Sequence, residues 1–157
     1  MLVEALPRLS TAATALSVAF AGGGLERDRL QAQDLGVSEK LPCLGFLSDS
    51  ERFLVEAAVF VFRSGFEGMP NAFPEAMAAG LTVIVTDASP GPLEVVEPRV
   101  SALGVPSDDS TSPAAAMTSL ASDPARCKRM GDAASARIAS SGWPQLEQLW
   151  RSLLALS

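Results

Sequence analysis

The residues from Ala57 to Asp87 leave this chain few folds to choose from. Two strand-like runs, Val59 to Phe62 and Val83 to Val85, are separated by the loop Ser64-Gly65-Phe66-Glu67-Gly68 and a short helix-like segment that ends at Gly80. A glycine there suits the left-handed position that closes a helix. Strand, glycine loop, helix, strand is a βαβ unit. Its right-handed crossover makes the two strands parallel, and ligands bind such units at the carboxyl ends of the strands. Glu67 and Glu75, eight positions apart, both fall near that edge.

The rest of the chain continues the alternation. Leu2, Ala5, Leu6 and Leu9 share one helical face. Leu16 to Ala21 reads as a buried strand, followed by the turn Gly22-Gly23-Gly24. Leu25 to Gln33 reads as a charged, exposed helix stopped near Gly36. Leu41 to Phe46 is expected as a short strand, and Asp49 to Ala57 as a helix capped by Ser48 or Asp49. Val100 to Val105 is a candidate fifth strand. From Pro113 the chain reads as helical, in three segments: Ala114 to Leu120, Pro124 to Ala139 and Pro144 to Leu156. The expected mobile loop is Pro106 to Ser112. Five strands alternating with helices predict an α/β fold, a Rossmann-like parallel sheet with helices on both faces. The 157 residues suffice for one domain with a real core.

Composition narrows the chemistry. Hydrophobic residues make up 48% of the chain, which favours a packed domain over disorder. The net charge is −6, with no run of lysine or arginine. This argues against nucleic acid as the main ligand, because phosphate neutralisation dominates that affinity. It also argues against a basic, lipid-binding surface. Histidine is absent, so Ser-His-Asp and Cys-His catalysis and histidine metal sites are excluded. Cys43 and Cys127 are the two cysteines; both lie in apolar or helix-like surroundings and are expected as free thiols in a reducing cytoplasm. Thr11 to Ala21 imitates a signal sequence, but the segment before it carries Glu4 as well as Arg8 and lacks a positive start. No apolar run approaches the length of a transmembrane segment.

A solvated loop glutamate is common, and a glutamate in a first helical turn is favoured by the helix dipole alone. The ordered string is far more specific than either residue. Glu67-Gly68-Met69-Pro70-Asn71, then Glu75-Ala76-Met77-Ala78-Ala79-Gly80, then Val83-Ile84, resembles the EG-x-PN, EAMA-x-G and VI elements and the E-x7-E signature of retaining GT-B glycosyltransferases of family 4, the group 1 glycosyl transferases. Ala21 to Arg27 looks like that family's G-x-G-P-E-R turn. Leu44 to Asp49 looks like its FLGF-x-x-D segment bordering the nucleotide base, and Asp87 to Val96 like the loop before its G-P-x-E-V helix. The terminal Trp143 to Leu154 resembles its closing helix.

The resemblance implies a single domain over residues 1–157: the C-terminal, donor-binding half of a GT-B fold, lacking its first strand. It implies a nucleotide-sugar donor, UDP- or GDP-linked, a glycan or lipid-linked acceptor, no cofactor and no metal. Glu67 is the implied catalytic residue, facing the donor sugar and stabilising an oxocarbenium-like transition state. The implied donor-binding residues are Gly68 and Met69 through their backbone N–H groups, Pro70, Asn71, Glu75 through the ribose hydroxyls, and the backbone near Leu44 and Gly45 through the base. A carboxylate with two acceptor oxygens suits a diol.

The chain departs from the family pattern in two places. Pro74 stands where family members carry an ordinary helix former. A helix beginning at Pro70 would clash there, whereas one beginning at Pro74 would not. The family's opening strand, ending in Gly-Arg with a Lys soon after, has no counterpart before Met1. Neither has the N-terminal acceptor domain, and Arg63 is the nearest candidate for the missing charge. Two readings stand at this point. One is the donor half of an enzyme, inactive by itself and completed by a missing domain or partner chain. The other is a non-catalytic, degenerate nucleotide-binding or protein-interaction domain. The stripe Trp143, Leu146, Leu149, Trp150, Leu153 is plain core or a self-association surface.

Overall fold

The structure, a computed structural model, describes residues 2–9, 16–22, 29, 32–37, 41–47, 49–62, 71–87, 90–106 and 109–140. Three strands form its sheet: β1 (Val59–Phe62), β2 (Thr82–Thr86) and β3 (Ala102–Val105). They lie in chain order and are parallel throughout. Phe62 pairs with Val85, and Thr86 with Val105, so the carboxyl ends of all three strands reach one edge. The helices are α1 (Leu2–Ala5, extended by a 3-10 turn over Leu6–Arg8), α2 (Ser50–Val55), α3 (Ala72–Ala78), α4 (Pro90–Val95), α5 (Thr111–Ala121) and α6 (Pro124–Ser140).

All five residues of β2 are buried, as a parallel strand covered on both faces requires. Alternate side chains go opposite ways. Ile84 joins Ala5, Met117, Leu120 and Met130, with Val59, Val61 and Leu103 packed against them. Val83 and Val85 join Phe73, Met77, Val96 and Ala134, with Phe60, Phe62 and Leu93 alongside. The expected two-sided α/β layer structure is therefore present. One face carries α1, α5 and the start of α6; the other carries the crossovers α3 and α4 and the end of α6. Each large side chain in these clusters contributes about 1.5–3 kcal/mol on burial.

Helix α3 shows how local sequence builds this arrangement. Phe73, Ala76 and Met77 fall at helical spacing and are the buried residues of the helix. Gly80, at φ +79°, ends it. The Gly80 N–H donates to Met77 O at 3.0 Å and the Leu81 N–H to Ala76 O at 3.1 Å, the paired bonds of a Schellman closure. Leu81 then packs with Ala76 and Leu54, and β2 starts at Thr82. The same device operates at Gly36, at φ +67°, where Val37 N–H donates to Ala32 O at 2.9 Å.

Several expectations are corrected. The two N-terminal strands reduce to a single parallel bridge, Phe20 to Cys43, and the first of them, expected as buried, is half-buried or exposed from Leu16 to Ala21. The third strand begins at Ala102 rather than Val100. Arg99 takes a left-handed φ of 67°, and Glu97 O accepts from the N–H groups of Val100 at 3.1 Å and Ser101 at 2.9 Å, so this stretch is a turn. Helix α5 begins at Thr111, inside the expected loop. The closing segment from residue 141 onward, with its apolar stripe, lies outside the described residues. The two thiols are free, Cys43 half-buried and Cys127 buried.

Helix α6 crosses the amino end of β2. Thr82 Oγ1 donates to Cys127 O at 2.5 Å, and Ser135 Oγ donates to Ala78 O at 3.3 Å. At the crossing a Cβ on Gly131 would overlap the carbonyl of Gly80 and stand 3.3 Å from Thr82 N. Alanine is favoured over glycine by about 1 kcal/mol in a helix interior, but overpacking against backbone costs about 1–3 kcal/mol. Gly131→Ala is therefore expected to lower the midpoint of urea unfolding. A midpoint equal to or above that of the unsubstituted chain would show that the crossing is looser than described.

Candidate functional site

Of the candidate residues, Leu44, Gly45, Asn71 and Glu75 are among the described residues. At the N-terminal bridge, Phe20 N–H donates to Pro42 O at 2.9 Å and Leu44 N–H to Phe20 O at 2.8 Å. Both chains then turn through glycines with positive φ, Gly22 at +123° and Gly45 at +69°, conformations that a side chain resists. The Gly22 N–H donates to Gly45 O at 2.7 Å and ties the two turns together. These bonds use the N–H of Leu44 and the C=O of Gly45. The peptide between them, Leu44 C=O and Gly45 N–H, has no partner among the described residues. Beside it Leu44 is 42% and Phe46 91% exposed, an apolar surface at the rim.

The chain passes from this turn into α2. Asp49 caps that helix by accepting from Arg52 N–H at 3.0 Å, as the sequence predicts. Ser50, the first helical residue, donates from Oγ to Glu75 Oε2 at 3.3 Å. Glu75 lies in the first turn of α3, where a carboxylate is favoured by the helix dipole. The structure thus joins Glu75 to the first residue of α2, the helix that follows the Leu44-Gly45 turn along the chain. Asn71 precedes α3 but makes no side-chain capping bond. Pro74 sits at the third helical position, so the helix starts neither at Pro70 nor at Pro74. A proline is accommodated there because first-turn N–H groups have no intrahelical acceptor. Glu67, Gly68, Met69 and Pro70, and with them Arg63, lie outside the described residues.

Ser50 is the participant that sequence reading missed. A serine after a capping aspartate looks like part of the cap, and its contact with a residue 25 positions away follows from helix packing rather than from any local pattern.

Between β3 and α5 lies Asp109. The Asp109 carboxylate accepts from the backbone N–H of Thr111 at 2.7 Å and of Ser112 at 3.1 Å, and from both hydroxyls at 2.5 Å. The Ser112 hydroxyl, then the Thr111 hydroxyl and N–H, hold its carboxyl well below the usual carboxylate range. This cluster closes the start of α5 and is structural in character.

With the geometry in place, the chain's relatives bear on it. The sequence profile of the family Glycosyl transferases group 1 matches residues 1–137. The chain is 32% identical over 97 residues, 60% of its length, to the N-acetylgalactosamine-N,N'-diacetylbacillosaminyl-diphospho-undecaprenol 4-alpha-N-acetylgalactosaminyltransferase of Campylobacter jejuni, covering 26% of that protein. It is 38% identical over 93 residues, 58% of its length, to a lipopolysaccharide core biosynthesis glycosyltransferase of Rhizobium meliloti, again covering 26% of the relative. Its fold overlays on the Anabaena protein HepE in complex with UDP, with a TM-score of 0.84 and 22% identity, covering 99% of this chain and 44% of that one. The chain therefore spans about a quarter of the curated relatives it matches, and less than half of HepE.

Asp109 supplies a pH-dependent expectation. A carboxyl group whose value is depressed on folding stabilises the fold above its unfolded value, about 3.9, and that contribution is lost as pH falls towards the depressed one. Asp109→Ala is expected to lower the thermal midpoint at pH 7, and the gap to the parent chain is expected to close as pH drops below about 4. A gap that is the same at pH 7 and pH 2 would show that the carboxylate charge is not what holds this loop.

Proposed function

This chain belongs to the group 1 glycosyl transferases, and from that premise we propose that it forms the nucleotide-sugar-binding half of a retaining GT-B enzyme. The observation that carries the proposal is the hydrogen bond from the Ser50 hydroxyl to the Glu75 carboxylate at the start of α3, the crossover helix between two parallel strands. Parallel sheets take nucleotides at their carboxyl edge. The neighbouring fold, HepE, is known in complex with UDP and with UDP-glucose, which supports a uridine diphosphate donor over a GDP-linked one. The C. jejuni relative is named for a lipid-linked diphospho-undecaprenol acceptor and the R. meliloti relative for lipopolysaccharide core. A glycan or lipid-linked acceptor fits both.

In this reading Glu75 accepts from the ribose hydroxyls, and the Leu44–Gly45 peptide meets the base. Glu67 faces the donor sugar and stabilises the positive charge that develops as the anomeric carbon leaves the diphosphate. The N–H groups of Gly68 and Met69 take the leaving oxygen atoms, with Pro70 and Asn71 shaping the loop. The transfer needs no resident metal and takes place in the cytoplasm. No helix of the described residues is long and apolar enough to cross a membrane. Because the chain covers 44% of HepE, transfer is assigned to a protein carrying both halves of the fold. The 157 residues bind the donor nucleotide without turning it over.

Calorimetric titration of the purified chain with UDP and GDP tests this. A charged hydrogen bond contributes about 1.5–3 kcal/mol, so Glu75→Gln is expected to weaken UDP binding by about 10-fold or more. Radiolabelled UDP-sugars with glycan and lipid-linked acceptors are expected to give no product from the same preparation. Equal UDP affinity in the parent chain and Glu75→Gln contradicts the assignment. Absence of any nucleotide binding favours the second reading, a non-catalytic protein-interaction domain.

A further inference from the structure

We propose that Ser50 is a positioning residue for Glu75, and that the pair makes the site selective for ribonucleotides over 2′-deoxyribonucleotides; this rests on the reading of Glu75 as the ribose-binding group. Glu75 is exposed, and a free glutamate side chain at a surface samples several rotamers that binding must narrow to one. Its Oε2 is instead held by the Ser50 hydroxyl at 3.3 Å.

That contact is seated by the core rather than by chance at a surface. Ser50 opens α2, fixed by the Asp49 cap. One turn on, Leu54 is 7% exposed and packs with Ala76 and Leu81. Ala76 is the residue after Glu75, and Leu81 is the residue that completes the closure of α3. The packing of Leu54 against Ala76 and Leu81 thus sets the donor on α2 opposite the acceptor on α3.

The chemistry of the pair follows from counting. An ionised carboxylate has about four acceptor positions on two oxygens. The Ser50 hydroxyl occupies one on Oε2. Oε1 and the remaining position on Oε2 are then presented together, in one orientation, to a ligand with two adjacent hydroxyl donors. A ribose 2′,3′-diol is such a ligand, and a 2′-deoxyribose supplies only one of the two. Without the Ser50 anchor the carboxylate can rotate to serve a single hydroxyl equally well, so the loss of Ser50 reduces both affinity and discrimination.

The test uses the full chain with UDP and 2′-deoxy-UDP as probes, read by calorimetry. Ser50→Ala is expected to weaken UDP binding by about 3- to 10-fold, the range of an ordinary net hydrogen bond, and to shrink the ratio of UDP to 2′-deoxy-UDP affinity. Ser50→Thr, which keeps the hydroxyl, is expected to restore both. In a Glu75→Gln background the additional effect of Ser50→Ala is expected to vanish, because the two residues act as one unit. A merely structural serine would leave the affinity ratio unchanged. Ser50→Ala with unaltered UDP affinity and ratio overturns the proposal, as does an equal loss with Glu75 already replaced. If Glu75→Gln weakens UDP binding while Ser50→Ala is silent, the ribose role of Glu75 stands and only this inference falls. If the parent chain binds neither nucleotide, both fall.

Discussion

Everything else in the molecule depends on burying β2 on both of its faces. Thr82 to Thr86 have no solvent-facing side, so apolar layers must cover the sheet above and below. A parallel neighbour on each side obliges the chain to return across the sheet between strands. Those returns are α3 and α4, and they place the carboxyl ends of β1, β2 and β3 at the same edge. The position of the candidate site is a consequence of that constraint. The carboxylate at Glu75, in the first turn of the crossover helix α3, owes its place to the demand of a buried parallel strand, before any ligand is considered.

The opposite edge is closed by different means. There α6 passes over the amino end of β2 at a distance that only Gly131 permits, and the Thr82 hydroxyl satisfies the Cys127 carbonyl inside the core. The same helix reaches both core layers, through Cys127 and Met130 on one side and Ala134 on the other. The amino edge of β2 is thereby closed by backbone contact.

Much of this was legible in the chain itself, where a single residue settles a local question. Gly80 and Gly36 mark helix ends because few other residues take a positive φ, and Asp49 marks a helix start because its carboxylate reaches a free N–H. The βαβ pattern reads directly from Val59 to Val85. What sequence could not show is what depends on distance. The N-terminal apolar runs suggest buried strands, but residues 16–21 are half-buried or exposed, only Leu41 of the second run is buried, and the two runs meet in the single bridge Phe20 to Cys43. Asp109 looks like one polar loop residue among several until its four bonds to Thr111 and Ser112 are seen. The Ser50 to Glu75 contact joins two helices through the packing of Leu54, Ala76 and Leu81, and no spacing rule connects positions 50 and 75. Pro74 left two starting points open for α3, and the helix takes neither.

The proposed nucleotide site places the ribose of a nucleoside diphosphate against Glu75 and its base over the Leu44–Gly45 peptide. A crystal structure of the chain grown with UDP tests it most directly. The expected result is electron density for the ribose within hydrogen-bonding distance of Glu75, with Ser50 Oγ still on the same carboxylate and the base alongside Phe46. Nucleotide density at the amino edge beneath Gly131, or at the carboxyl edge with Glu75 turned away from the ribose, would contradict it.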